Sequence, residues 1–245
     1  MRNISLTIQY NGAAYHGWQR QKEVMSVQQM LEDTLDHITG EATTLYGCGR
    51  TDAGVHALEY TCNFRTESTI PCDKLPFVLN EQLPRDISCL NAQDMPPEFH
   101  ARYNAKGKRY IYRILNRHMK DVFLDNQVWH CRRPLDILLM QEACAAFVGE
   151  HDFTSFCSVD STVDSKIRTI YSLGVSRDGD VIEIDVHGSG FLYNMVRIIA
   201  GTLVYVGIGK IAAGDIPQII ASKDRTRAGI TAPPQGLYMK KVYYE

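Results

Sequence analysis

Metal-ligand spacing is missing from this chain. Its seven cysteines (Cys48, Cys62, Cys72, Cys89, Cys131, Cys144 and Cys157) never form a C-x-x-C pair, and its eight histidines do not gather at ligand spacings. No zinc site is expected. An odd, scattered set of thiols also argues against a disulfide framework and for a reducing cytoplasm. No G-x-G-x-x-G follows a strand and there is no Walker loop, so no cofactor is expected from motif. The Met1 end lacks a charged region followed by an apolar core, so no signal peptide is expected. The most apolar window, 191–208, is interrupted by Asn194, Arg197 and Gly201, and reads as a buried helix rather than a membrane span. Bulk positive charge is lacking too: the net charge of −2 gives no general pull on nucleic acid.

What is present is enough apolar material for a real core. Of 245 residues, 44% are hydrophobic and 22% charged, which excludes global disorder and allows one large domain or two ordinary ones. The charge is unevenly spread. Residues 1–100 carry seven basic and thirteen acidic side chains. Residues 101–133 carry nine basic ones (Arg102, Lys106, Lys108, Arg109, Arg113, Arg117, Lys120, Arg132, Arg133) against Asp121 and Asp125. Screening confines each charge to about 10 Å, so a local excess of this kind can hold phosphate whatever the total. Tyr103, Tyr110 and Tyr112 interleave with it, a mixture that suits single-stranded RNA; a solvated strand face is the plain alternative.

Along the chain, Ile4 to Tyr10 alternates as a strand with one wet face, and Asn11-Gly12 turns it. Tyr15, His16, Trp18 and Arg20 lie in a polar loop. Ser26 with Gln29 forms a capping box for a helix that Gly40 ends. A strand runs from Val55 to Phe64, Asp73 caps a helix through Leu83, and Ile87 to Ala92 is a further strand. Lys108 to Asn116 opens a new strand with Tyr110, Tyr112 and Ile114 on one face. A helix starts at Pro134 and closes at Gly149, and His151-Asp152-Phe153 lies in a loop. Asp178-Gly179 joins two strands, Gly188-Ser189-Gly190 leads into a helix from about Gly190 to Val206, Asp215 caps a short helix, and Gly236 to Tyr244 is the last strand. Each half thus reads as strand, helix, strand pair, helix, strand. The expectation is an α+β protein of two domains, 1–105 and 106–245.

One stretch stands apart: Gly47-Cys48-Gly49-Arg50-Thr51-Asp52-Ala53-Gly54-Val55-His56-Ala57. Its three glycines let the backbone turn sharply and approach a partner closely, placing the Asp52 carboxylate two residues from the Arg50 guanidinium. On local pattern alone, Asp52 is a turn residue accepting a backbone N–H. The nine residues from Gly49 to Ala57, however, closely resemble the signature of the TruA family of tRNA pseudouridine synthases. The resemblance continues through residues 80–87, 99–103, 108–112 and 151–153, Gly190 to Arg197, Ala228 to Pro233 and Leu237-Tyr238, in the family's order. Tyr60 departs from an expected glutamine, and Tyr193-Asn194 from a more polar or basic pair.

The resemblance implies two pseudo-symmetric domains with mostly antiparallel sheets flanked by helices and an active cleft between them. It further implies isomerisation of uridine to pseudouridine at tRNA positions 38, 39 and 40 by a cytoplasmic homodimer that needs no metal and no cofactor. Asp52 becomes the catalytic residue and Arg197 its counter-charge; a buried Arg197 would cost roughly 3–5 kcal/mol to remove. Tyr110, Arg50 and Leu237 become substrate-binding residues, with Arg20, Arg102, Lys106, Lys108 and Arg109 gripping RNA. Without the family, Tyr110 is an ordinary core tyrosine and Arg50 a salt-bridge partner of Asp52. His56 is read as ordering the loop, not as a base. Two other readings stand beside the isomerase: an RNA-binding module without catalysis, and an aspartate-nucleophile glycoside hydrolase, which needs a second carboxylate that the sequence does not place near Asp52.

Overall fold

The structure, a computed structural model, describes residues 1–160 and 163–245. In chain order the strands are β1 (Arg2–Tyr10), β2 (Tyr46–Gly47), β3 (His56–Thr66), β4 (Ile87–Met95), β5 (Gly107–Leu115), β6 (Trp129–His130), β7 (Gly149–Asp152), β8 (Ile167–Asp178), β9 (Val181–Gly188) and β10 (Leu237–Tyr243). The helices are α1 (Val27–Thr39), α2 (Leu75–Gln82), α3 (Ile137–Cys144), α4 (Met195–Gly207) and α5 (Ile216–Ser222). The chain divides into two compact units, Met1–Lys106 with Tyr238–Glu245, and Gly107–Leu237. The last eight residues, assigned from sequence to the second half, therefore belong to the first unit.

In the first unit β1 lies between β4 and β3, antiparallel to both. The other edge of β3 carries β2 near Cys62 and the parallel strand β10 near His56. Helix α1 begins where Ser26 accepts a hydrogen bond from the Gln29 backbone and ends at Gly40, whose φ of 73° is the left-handed cap. It buries Val27, Leu31 and Leu35 in the same core as Ile4, Leu6 and Ile8 of β1 and Phe64 of β3. Each such side chain contributes on the order of 1.5–3 kcal/mol. The wet face expected for β1 is only partly wet. Asn3 and Ser5 are buried as well, because Asn3 Nδ2 donates to the carbonyls of Pro96 and Phe99 at 2.9 Å each and the chain there closes over it. Asp73 does not cap α2; Lys74 holds that position without a side-chain bond, and Asp73 instead pairs with Lys74 on the surface.

The second unit carries the sheet β5-β9-β8-β7, antiparallel throughout, with the short β6 parallel to β5. Gly179 takes a φ of 55° in the β8–β9 hairpin, the conformation a tight two-residue connection requires. Its core is built on Tyr112, Ile114, Ile182, Ile184 and Val186, which share one face of the sheet, against α4, whose Ile198, Ile199, Leu203 and Val206 are fully buried. Among the described residues no helix is long and apolar enough to cross a membrane. Three boundaries move. Helix α3 starts after Asp136, whose carboxylate accepts from Leu138 and Leu139, not at Pro134. His151 and Asp152 lie in β7, not in a loop. Helix α4 starts at Met195, so Gly188-Ser189-Gly190 is a strand end, where Ser189 exchanges hydrogen bonds with Thr169, not a helix cap. Asp215 stands at the N-cap of α5 as expected, though without a capping bond from its side chain. Both halves still follow the expected element order, with β6 and β7 added to the second and the short helix after Asp215 present as expected.

His187 of β9 sits beside Arg109 and Asp185. Burial and the Arg109 charge hold its pKa below the usual 6.5, with Asp185 opposing. The unfolded chain therefore takes up this proton first as pH falls, so stability contributed here is present above the ordinary histidine range and lost below it. Denaturant unfolding between pH 7.5 and 5 is expected to show stability falling with pH, and His187→Gln to flatten that slope; an unchanged slope would contradict the assignment.

Candidate active site

The glycine-rich stretch is a turn set into the first unit's sheet. The Asp52 carbonyl accepts from Val55 N at 3.2 Å, and Gly54 between them takes a φ of 76°. The loop before α1 wraps it. Trp18 N donates to Thr51 O at 3.2 Å, Gly54 N to Tyr15 O at 3.2 Å, and the Tyr10 hydroxyl meets Thr51 Oγ1 at 2.9 Å. The approach is so close that a Cβ on Gly17 would collide with the Thr51 carbonyl and one on Gly12 with the Val55 carbonyl. Asp52 is half-buried on this turn. The turn reading of Asp52 thus holds for its backbone, and the scaffold that makes the turn also fixes where the side chain starts.

His56 orders the loop, as read from sequence. Its Nδ1 accepts from Gly12 N at 3.0 Å, and its ring, 2% exposed, stacks on Tyr238 at 4.6 Å. Tyr60, the residue that departs from the family's glutamine, has a structural explanation. It is fully buried, stacks on Trp18 at 4.1 Å, and its hydroxyl donates to Gly49 O. It ties the motif's leading edge to β3. Arg50 is exposed and forms no ion pair among the described residues, so the salt bridge to Asp52 considered from sequence is not made. Glu59, the nearest other acid in sequence on the strand, pairs with Lys241 at 3.6 Å.

In the second unit Arg197 stands on the first turn of α4. It is half-buried, where sequence reading expected full burial. Its Nε donates to Ala232 O at 2.8 Å and its Nη1 to Asn194 Oδ1 at 2.7 Å. Asn194 adopts a φ of 61°, which an asparagine tolerates better than most residues, and its Nδ2 donates to Ser158 Oγ at 2.8 Å. Burial raises the Tyr112 pKa, and the Arg197 charge opposes the rise. Tyr110, on β5, is 8% exposed and meets Phe191 edge-on at 5.2 Å. Leu237 is buried at the start of β10, after Gly236, where a Cβ would strike the Tyr112 ring.

The cationic residues sort differently from their order in sequence. Arg102 and Lys106 are exposed, and Lys108 is half-buried. Arg109 pairs with Asp185 at 2.7 Å, Arg113 with Glu183 at 3.2 Å, and Arg117 with Asp121 and Asp180. Counting charge along 101–133 missed the acids that β9 and its hairpin place opposite. Arg20 is committed as well, to Glu32 at 3.0 Å and Asp33 at 3.1 Å, and Glu32 is almost fully buried. Asn194 was missed as the residue that orients Arg197; its signal was a polar residue just before a helix, capable of positive φ.

Because Arg197 is half-buried and donates to Ala232 O and Asn194 Oδ1, its truncation is expected to cost about 1.5–3 kcal/mol, less than a fully buried charge. Urea denaturation of Arg197→Ala checks this. Asn194→Ala should give a smaller loss.

A sequence model described as tRNA pseudouridine synthase matches residues 6–104 and again 143–245. Among curated relatives, tRNA pseudouridine synthase A of Caldicellulosiruptor saccharolyticus is 50% identical, and that of Thermoanaerobacter sp. (strain X514) 49% identical, each over 100% of both chains. A protein of Clostridium tetani named tRNA pseudouridine synthase A 2 is 44% identical over 99% of both. A solved Cbf5-Nop10-Gar1 complex matches 96% of this chain and 57% of its own at 12% identity and a TM-score of 0.37, too distant to inform the fold. With the motif's nine residues in a rigid turn and matches running the length of both units, the chain belongs to the TruA family of tRNA pseudouridine synthases.

Proposed function

We propose that this protein isomerises uridine to pseudouridine at positions 38, 39 and 40 of the tRNA anticodon arm, acting in the cytoplasm as a homodimer. The observation that carries this is the pinned turn bearing Asp52, in a sequence that matches its relatives from end to end. The reaction breaks the N1–C1′ bond, turns the uracil and joins C5 to C1′. Nothing is oxidised and no group is imported, so one carboxylate placed where C1′ gains positive charge is sufficient chemistry. Asp52 fills that role, by attack on C1′ or the ring or by stabilising a glycal intermediate.

The remaining roles follow from what each group offers. Arg197, oriented by Asn194 and the Ala232 carbonyl, supplies the cation that favours an ionised aspartate. Tyr110 offers a ring for the extruded base, and stacking of that kind returns about 1–3 kcal/mol against a flipping cost of a few. Leu237 lines the base site. Arg50, exposed and uncommitted among the described residues, holds phosphate or fills the gap the base leaves. Arg102, Lys106 and Lys108 hold the backbone, whereas Arg109 and Arg20, already paired with acids, contribute less.

Incubation of unmodified tRNA with wild type and with Asp52→Asn, followed by carbodiimide mapping, tests the proposal. Carbodiimide-stable sites are expected at positions 38–40 with wild type and none with the variant. Full activity in Asp52→Asn would return the protein to a non-catalytic RNA-binding role, and release of free uracil would favour the hydrolase. Affinity for tRNA is expected to fall steeply between 50 and 200 mM salt, with a shallower slope in Arg102→Gln/Lys106→Gln; a slope unchanged by that pair would remove them from the phosphate contacts.

A further inference from the structure

Beside Gly49 and Arg50, within the first unit, the surface opens into a pocket of about 300 Å³. Trp18, Tyr46, His100, Arg102 and Tyr103 are among its walls, and none of its lining residues is acidic. Three rings run through it in sequence. Tyr46 and His100 lie 5.1 Å apart at 50°, and His100 and Tyr103 lie 4.4 Å apart at 43°. The outer rings are open to solvent, Tyr46 at 43% and Tyr103 at 75%. The Arg102 guanidinium lies 5.7 Å from the centre of the Tyr103 ring.

An exposed aromatic run gives the folded state little, yet this one is held rigidly. His100 N donates to Asn104 Oδ1 at 2.7 Å, Asn104 N returns to His100 O at 3.1 Å, and Arg102 N donates to His100 Nδ1 at 3.1 Å. That last bond leaves Nε2 to carry the hydrogen of the neutral ring. The turn is anchored from below. Ala101 N donates to Asn63 Oδ1 at 2.8 Å, Asn63 Nδ2 to Asn3 Oδ1 at 2.9 Å, and Asn3 Nδ2 to Phe99 O at 2.9 Å. Asn3 is 5% and Asn63 2% exposed, so two buried polar side chains are committed to fixing a surface turn. Tyr244 adds a hydrogen bond from its hydroxyl to Ala101 O at 2.8 Å. Fixed π faces, unopposed guanidinium groups and no carboxylate are what an unpaired nucleotide needs, since stacking tolerates any base and the cations meet its phosphates.

We propose that this pocket binds a second, unpaired base of the RNA substrate, a neighbour of the uridine being isomerised, stacked on Tyr46, His100 and Tyr103 with its phosphate on Arg102. The proposal rests on the isomerase reading above. Arg50, on the pocket wall, is two residues from Asp52, at most about 7 Å of chain, so the site lies within reach of an adjacent nucleotide. It would make recognition depend on extrusion of a flanking base, not only of the target.

The test uses Asp52→Asn, which holds RNA without turning it over, and an unmodified tRNA with 5-iodouridine placed singly at anticodon-loop positions. Photocrosslinks to Tyr46, His100 or Tyr103 are expected from a nucleotide other than the one isomerised. Adding Tyr46→Leu/Tyr103→Leu should raise Kd roughly ten-fold, and Tyr103→Phe should change it less than two-fold. Phe77→Leu, an exposed aromatic elsewhere in the unit, should leave Kd unaltered. An unchanged Kd in the double leucine variant would overturn the proposal, as would equal losses for Tyr103→Phe, which would indicate a hydroxyl contact in place of stacking. Crosslinks at these rings from the isomerised nucleotide alone would also overturn it. The two readings fail separately: no pseudouridine from wild type removes the isomerase, while pseudouridine formed with an unaltered Kd in the double variant removes only the second base site.

Discussion

The close approach of the loop before α1 to the turn carrying Asp52 is the constraint on which the rest depends. Backbone meets backbone there, with Gly12 and Gly17 at positions where any side chain would strike the Val55 or Thr51 carbonyl. Around that contact the buried groups are arranged in order: Tyr10 on Thr51, Trp18 stacked on Tyr60, Tyr60 on Gly49 O, His56 on Gly12 N and stacked on Tyr238. A side chain can be held in one place only if it starts from a fixed Cα, and this turn fixes the Cα of Asp52 with backbone bonds and packed rings in place of flexible side-chain contacts.

Much of this was legible in the sequence. Ser26, Gly40 and the Asp178-Gly179 region gave their boundaries because caps and tight turns depend on few residues close in the chain. The motif was legible because nine consecutive residues are hard to match by chance. What was not legible depends on residues distant in sequence. Whether Asp73 or Pro134 begins a helix is decided by the packing of the following turn, and the actual starts fell one to three residues away, whereas Asp215 does stand at the start of its helix. The burial of Asn3 and Ser5 required knowing that residues 96–104 would cover one face of β1.

Electrostatics shows the same limit more sharply. The basic run 101–133 looked like a continuous phosphate grip, yet register decides which charges remain. Strand β9 sets Glu183 opposite Arg113 and Asp185 beside Arg109, and the hairpin offers Asp180 to Arg117. Such half-exposed pairs contribute little to stability, on the order of 0–1 kcal/mol, but they remove field from the surface that RNA would meet. Arg50 and Arg102, two cations that form no ion pair among the described residues, flank the aromatic pocket of the first unit.

The return of β10 to the first unit has a consequence for how the protein is made. Tyr238 and Met239 pair with His56 and Ala57, Tyr243 O takes a bond from Lys106 N, and Tyr244 packs edge-on against Phe99. Residues 1–106 leave the ribosome long before these partners are synthesised. The turn bearing Asp52 thus lacks one of its braces until β10 has been made, and the first unit of a growing chain is completed only when that strand emerges.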